Sequence, residues 1–191
     1  MSTYLLFDTD WVLIQSPMWS DEYSRRTWLD PHSMKPFFAW IFQECTIGRA
    51  DLREVIVPFL EEWKWEWSPE EYLKAWFEFE NQPDIELIWE IQKLRKNGIK
   101  CYIATNQEKY RLEYLKKEMH FENLFDGIFC SAEMGLKKPE KKYYQVIIDT
   151  LGVDPSDIIY FDDALENIES VRSLGIDARL YTRREDFTHI S

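Results

Sequence analysis

Apolar residues recur in two rhythms along this chain, and the change of rhythm divides it. Tyr4 to Phe7 is an unbroken apolar run that stops at Asp8, with a second carboxylate, Asp10, two places on. A short apolar run bounded by polar residues predicts a strand buried on both faces. From about residue 15 to residue 83 no strand pattern appears. Trp, Glu, Phe and Leu recur there instead and predict helices over roughly 18–28, 33–45, 50–63 and 68–80. Ser68-Pro69-Glu70-Glu71 supplies a cap, a first-turn proline and a capping-box acid. Asp51 is placed to cap a helix whose Leu52, Val55, Ile56 and Phe59 recur at helical spacing.

From Pro83 the rhythm alternates. A helix over 84–97 carries Ile85, Ile88, Ile91 and Leu94 and stops at Gly98. Ile99 to Ala104 predicts a strand ending at Thr105 and Asn106, and 108–119 a helix. Gly127 to Cys130 is a short strand ending at Ser131, and Pro139 opens a helix that runs to Leu151. Ile158 to Phe161 is a strand ending in Asp162 and Asp163, 164–174 a helix, and Ala178 to Tyr181 a last strand. The polar stretch Thr182 to Ser191 reads as a short helix or a tail. Strands alternating with helices predict an α/β fold with a parallel sheet and right-handed crossovers.

Composition then narrows the functions. The 191 residues suffice for one core, or for one domain with a substantial insertion. With 45% hydrophobic and 30% charged residues, the chain is expected to be globular and soluble rather than disordered. A formal net charge of −12 argues against nucleic acid as a partner, because phosphate neutralisation needs clustered Lys and Arg. A small phosphate remains open, since a local cation and a lysine reverse the field inside a pocket. Cys45, Cys101 and Cys130 are widely spaced with no CxxC, so neither a zinc site nor a disulfide framework is indicated. Buried, reduced thiols are expected. The N-terminus has no signal-peptide pattern and no apolar run approaches about 18 residues. The expectations are a cytoplasmic protein and no membrane partner.

A parallel sheet brings the carboxyl ends of its strands to one edge. Asp8 and Asp10, Thr105 and Asn106, Lys138 just ahead of Pro139, and Asp162 with Asp163 can therefore converge. Such a set suits a magnesium ion, which takes a few carboxylates and keeps several waters, with a phosphoryl group on the remaining side. Taken alone, Asp8-Thr9-Asp10 reads equally as a strand running into a solvated acidic turn.

Four stretches in order carry a resemblance. Phe7-Asp8-Thr9-Asp10-Trp11-Val12, then Ala104-Thr105-Asn106, then Gly135-Leu136-Lys137-Lys138-Pro139, then Tyr160-Phe161-Asp162-Asp163 with Asn167 after it, resemble the motifs of the haloacid dehalogenase superfamily. The branch is the one with a helical cap inserted after the first motif. The resemblance covers the whole chain, weakly in the cap. It implies a Rossmann-like doubly wound parallel sheet, with residues 1–14 and 84–191 as the α/β core and 15–83 as the helical cap. It also implies roles. Asp8 would be the nucleophile, Asp10 the acid and base, and Lys138 the neutralising cation. Thr105 and the Asn106 backbone would hold phosphoryl oxygens. Mg²⁺ would sit on Asp8, the Asp10 carbonyl, Asp163 and Asp162, the last either as a direct ligand or behind one. An acid two places after the nucleophile implies phosphoryl transfer rather than carbon–halogen cleavage. Trp11 stands where glycine is common.

Several residues stay open at this point. Arg49, after Gly48, either binds a second anionic group of the substrate or is a surface arginine. Trp63, Trp65 and Trp67 are expected in an extended segment facing one side, as a cap–core contact or a substrate wall, while most other cap tryptophans are expected in its core. Asn167 orients a metal water or merely lies in its helix, Ser131 orients the lysine or is a turn residue, and Lys137 is expected in solvent. His32, His120 and His189 share no spacing and are assigned no role. The leading expectation is a Mg²⁺-dependent phosphatase acting on a small phosphorylated metabolite, a sugar phosphate first, as a monomer or homodimer. The alternatives are a phosphomutase resembling β-phosphoglucomutase and a non-catalytic binding protein on the same fold.

Overall fold

Five strands, β1 (Tyr4–Phe7), β2 (Lys100–Thr105), β3 (Gly127–Cys130), β4 (Ile158–Asp162) and β5 (Asp177–Leu180), pair in parallel in the order β3-β2-β1-β4-β5. The computed structural model describes residues 3–187. β1 takes the middle of the sheet because it is apolar on both faces. Side chains alternate along a strand, so Leu5 and Phe7 enter one core with Leu87, Ile91 and Leu115, and Leu6 enters another with Tyr144, Ile147 and Ile168. Helices therefore cover both faces, as the doubly wound reading requires.

Between β1 and β2 lie α1 (Trp19–Thr27), α2 (Pro31–Pro36), a π-helical stretch (Phe37–Ile41), α3 (Phe42–Cys45), α4 (Leu52–Val55), α5 (Val57–Glu62), α6 (Pro69–Phe79) and α7 (Ile85–Lys96). The helices α1 to α6 share an apolar core of their own. In it Trp63, fully buried, meets Phe37 edge-on at 5.3 Å and Tyr72 at 5.8 Å. The chain enters and leaves this segment at one point. Gln15 N–H donates to the Gln82 carbonyl at 2.9 Å, and Asp84 N–H to the Leu13 carbonyl at 2.8 Å. The rest of the sheet is joined by α8 (Lys109–Lys117), α9 (Phe121–Leu124), α10 (Ser131–Met134), α11 (Lys141–Leu151) and α12 (Leu165–Arg172).

Local chemistry explains most boundaries. The Ser68–Glu71 capping box is complete in both directions, and the Asp51 carboxylate accepts from Arg53 N–H. The helix expected over 50–63 breaks at Ile56 into α4 and α5, where Pro58 has no N–H to donate back along the helix. Pro139 does not open α11. Glu140 is a non-helical N-cap at φ −59°, ψ 123°, and the helix starts at Lys141. The expected extended Trp63–Trp67 segment is a turn, with Lys64 left-handed at φ 61°. Trp63 points into the helical core and Trp67 into solvent, and the Trp65 indole caps the Ser68 carbonyl. Arg184–Phe187 is a 3₁₀ turn. His189 and the rest of that polar stretch lie outside the described residues. The three cysteines are free and buried. No helix among the described residues is long and apolar enough to cross a membrane.

Side chains tie the inserted helices to the sheet layer. Lys109 Nζ lies 2.6 Å from Asp51, whose carboxylate also accepts from the Tyr110 hydroxyl at 2.9 Å. Arg111, buried on α8, donates to the Phe77 carbonyl at the end of α6 at 3.1 Å. Lys137, expected in solvent, donates to Gln43 at 2.9 Å. Gly48 (φ +72°) passes so close to α10 that a Cβ there would stand 2.4 Å from the Ala132 carbonyl oxygen.

Candidate active site

Register brings four distant stretches to one sheet edge. Phe7 lies level with Ile103 and with Phe161, so Asp8, Thr105 and Asp162 leave neighbouring strands at nearly the same height. Asp8 follows β1 directly, and its backbone N–H still donates to the Phe161 carbonyl at 2.9 Å.

Lys138 is the centre of the constellation. Its ammonium lies 2.7 Å from Asp8 Oδ1 and 2.8 Å from Asp162 Oδ2, with only 4% of the residue exposed. Asn106 holds the lysine's backbone from both sides. Its Oδ1 accepts from Lys138 N–H at 2.9 Å, and its amide donates to the Lys138 carbonyl at 3.0 Å. Burial alone would lower the ammonium's pKa, but the Asp8 and Asp162 carboxylates outweigh it and hold Lys138 above its ordinary value.

The carboxylates differ in how they are held. Asp162 is fully buried and accepts from Lys138, the Tyr160 hydroxyl, the Asn167 amide at 2.9 Å and Ala164 N–H at 2.8 Å. Burial opposes its ionisation, and these donors overcome it, so its pKa is lowered. Asp8 also accepts from Thr9 N–H at 2.6 Å. Its pKa is raised, first by burial and then by the neighbouring Asp162 and Asp10. Asp163 is exposed, and its pKa is raised by partial burial and by Asp162. Asp10 stands apart, its Oδ2 accepting from the Gln107 amide at 2.6 Å.

Oxygens of Asp8, Asp162 and Asp163 lie within 4.8 Å of one another. Three hard oxygen donors suit Mg²⁺, and a divalent cation there would relieve the repulsion that raises the pKa of Asp8. Asp162 already accepts from several donors, so Asp8 and Asp163 have the freer lone pairs. The Asp10 carboxylate is not part of this trio. The buried Thr105 hydroxyl has no hydrogen-bond partner among the described residues, which leaves a donor that a ligand oxygen could meet.

Other expected residues fall elsewhere. Arg49 is exposed and pairs with Glu44 across 3.7 Å rather than with the carboxylates of the site. Ser131 is buried at the start of α10, and its hydroxyl donates to the Gln107 carbonyl at 3.4 Å. Three residues near the carboxylates escaped the sequence reading. Gln107 follows Thr105-Asn106 directly, and Tyr160 shares a strand face with Asp162, so strand alternation was a usable signal for the second. Arg111 had none, because a lone helical arginine normally reads as solvated.

A cavity of about 100 Å³ opens beside Asp10, between the inserted helices and the sheet layer. Its wall includes Glu80 and Glu108, whose carboxyls burial pushes up to about 7. This has a consequence for stability. Below the ordinary value of 4.5 folded and unfolded chains both hold these protons. As pH rises through 7 the folded chain keeps protons that the unfolded chain has released, so stability is progressively lost. The urea midpoint is expected to fall between pH 5 and pH 8, and to fall less steeply in Glu80→Gln.

Comparison with known proteins adds the last observations. The family model for haloacid dehalogenase-like hydrolases matches residues 68–175. The chain is 32% identical over 96 residues to the sesquiterpene phosphatase astK of Aspergillus oryzae, a match covering 50% of this chain and 48% of that one. It thus spans about half the length of that relative. It is 25% identical over 143 residues to the D-ribitol-5-phosphate phosphatase of Bacteroides thetaiotaomicron, covering 72% of this chain and 69% of the other. In fold it is similar to a HAD family enzyme of the same bacterium solved as a magnesium complex. The TM-score there is 0.84 at 22% identity, over 99% of this chain and 98% of that one.

Proposed function

The chain belongs to the haloacid dehalogenase-like hydrolases, and from that premise we propose that it is a Mg²⁺-dependent phosphatase acting on a small phosphomonoester. The observation that carries this reading is the buried Lys138 ammonium, within 2.8 Å of both Asp8 and Asp162. An ammonium there neutralises an attacking carboxylate and a phosphoryl group together. The unpartnered Thr105 hydroxyl supports it.

In this reading Asp8 attacks phosphorus as the bond from phosphorus to the ester oxygen breaks, and Asp10 gives that oxygen its proton. Water then attacks phosphorus, Asp10 takes up the water's proton, and the bond to Asp8 breaks to release inorganic phosphate. Thr105 Oγ1 and the Asn106 N–H donate to phosphoryl oxygens, and Gln107 holds Asp10 in reach. Asp8, Asp163 and the Asp10 carbonyl would hold Mg²⁺, with Asp162 behind them. When bound, the ion offsets repulsion between the anionic nucleophile and the anionic ester. Residues 15–83 act as a cap on a core of 1–14 and 84–191. A separate aromatic core and the shared hinge at Gln15 and Gln82 support that division. We place the protein in the cytoplasm, as a monomer or homodimer.

A sugar phosphate is the first class to test, and similarity to a ribitol-phosphate phosphatase supports it. The test is phosphate release from a panel of small phosphomonoesters with Mg²⁺ and with excess chelator. Hydrolysis is expected, with a loss of at least about 100-fold on chelation. A phosphoenzyme that persists until a phosphate acceptor is added would instead point to a mutase. Mg²⁺ binding without turnover of any ester would point to a binding protein.

A further inference from the structure

We propose that the cavity beside Asp10 receives a leaving group that carries a positively charged nitrogen, so that the preferred substrates are phosphorylated amines. The proposal rests on the phosphatase reading and narrows its substrate class.

The position of the cavity is the first argument. Asp10 and Gln107 form part of its wall, so whatever departs from phosphorus with Asp10's proton occupies this space. Its size is the second. At about 100 Å³ the cavity admits an aminoethyl-sized group whole, or only the amine-bearing part of a larger leaving group such as an amino sugar. Trp11 and Met18, 45% and 44% exposed, stand at the wall's open side.

Chemistry of the wall is the third. Phe38, Phe42, Trp76 and Phe77 supply aromatic faces. Such faces attract a desolvated cation through the ring quadrupole. Besides Asp10, which brings the proton, two carboxyl groups, Glu80 and Glu108, line the same space against one guanidinium, Arg111, and a bound cation would favour their ionised forms. That guanidinium lies 3.9 Å from Glu80 and is also occupied by the Phe77 carbonyl. Glu108 accepts from the N–H groups of Tyr110 and Arg111. Glu80 accepts from Trp19 N–H at 2.8 Å. Among the described residues neither glutamate has a close ammonium; burial raises both carboxyls and the Arg111 guanidinium only partly offsets it. A neutral polyol would use the donors and acceptors but leave the charge imbalance. An anionic leaving group would worsen it.

Two matched pairs test the proposal: ethanolamine phosphate against ethylene glycol phosphate, and glucosamine 6-phosphate against glucose 6-phosphate. With Mg²⁺, kcat/KM is expected to be at least tenfold higher for the amine in one or both pairs. In Glu80→Gln that ratio is expected to fall at least threefold. The substituted side chain keeps an acceptor for Trp19 N–H, and a thermal melt checks that it folds. Equal or faster turnover of the neutral ester in both pairs overturns the proposal and leaves the phosphatase reading standing. An unchanged ratio in a folded Glu80→Gln protein also overturns it. Failure to hydrolyse any of the four esters removes the phosphatase reading, and this inference with it.

Discussion

Asp8→Asn is expected to abolish phosphoester hydrolysis, by at least about 10⁴-fold in kcat, without weakening the fold. An amide has no anionic oxygen to attack phosphorus, and no other carboxylate stands directly behind β1. The structural cost is small because the amide oxygen can still accept from Thr9 N–H and from Lys138, which hold Asp8 at 2.6 and 2.7 Å. The substitution also removes a buried charge whose ionisation the site opposes. Stability in the absence of metal is therefore expected to stay within about 1 kcal/mol of wild type or to rise. Hydrolysis and urea unfolding measured side by side check both halves. Retained activity would remove Asp8 from its role, and an inactive but unfolded variant would leave the role without support.

Lys138→Met is expected to do the opposite to the fold. It preserves much of the side-chain volume but strands two buried carboxylates, Asp8 and Asp162, that now share one ammonium. Removing one partner of a buried ion pair costs about 3–5 kcal/mol, read here as a lower urea midpoint at neutral pH. Added Mg²⁺ is expected to recover part of that loss, because the cation takes over neutralisation of Asp8 and Asp163. Adding Asp162→Asn to Lys138→Met should recover more, with a coupling above about 1 kcal/mol. Additive losses in the double variant would mean that the lysine is not the partner of Asp162.

The comparison of sequence with structure is uneven in an instructive way. β1 was legible because Leu5, Leu6 and Phe7 are apolar at every position, which only a strand covered on both faces tolerates. Asp51 and Ser68 announced their helices through local caps. The break at Pro58 was also local but was missed, because the apolar spacing of the 50–63 stretch continues through it. Trp63, Trp65 and Trp67 misled for a different reason. Spacing by two suggests an extended segment facing one side, whereas the chain turns at the left-handed Lys64 and sets Trp65 and Trp67, which meet edge-on at 4.9 Å, apart from the buried Trp63.

At the site, what the sequence by itself determined is the inventory and the edge on which it gathers. Asp8, Thr105, Lys138 and Asp162 each follow or end an apolar run, and a parallel sheet can only collect such ends together. What tertiary structure alone decided is how each group is held and against whom. Asp162 is saturated by Lys138, Tyr160, Asn167 and Ala164 N–H, while Asp163 beside it is left open to a cation. Asn106 serves Lys138 through its side chain, and Arg111 is buried against α6 where the cavity forms. Those facts depend on the register between strands and on how residues 15–83 seat on α8. Burial, charge pairing and cavity shape arise only when segments distant in the chain are packed together, so spacing along one segment carries no trace of them.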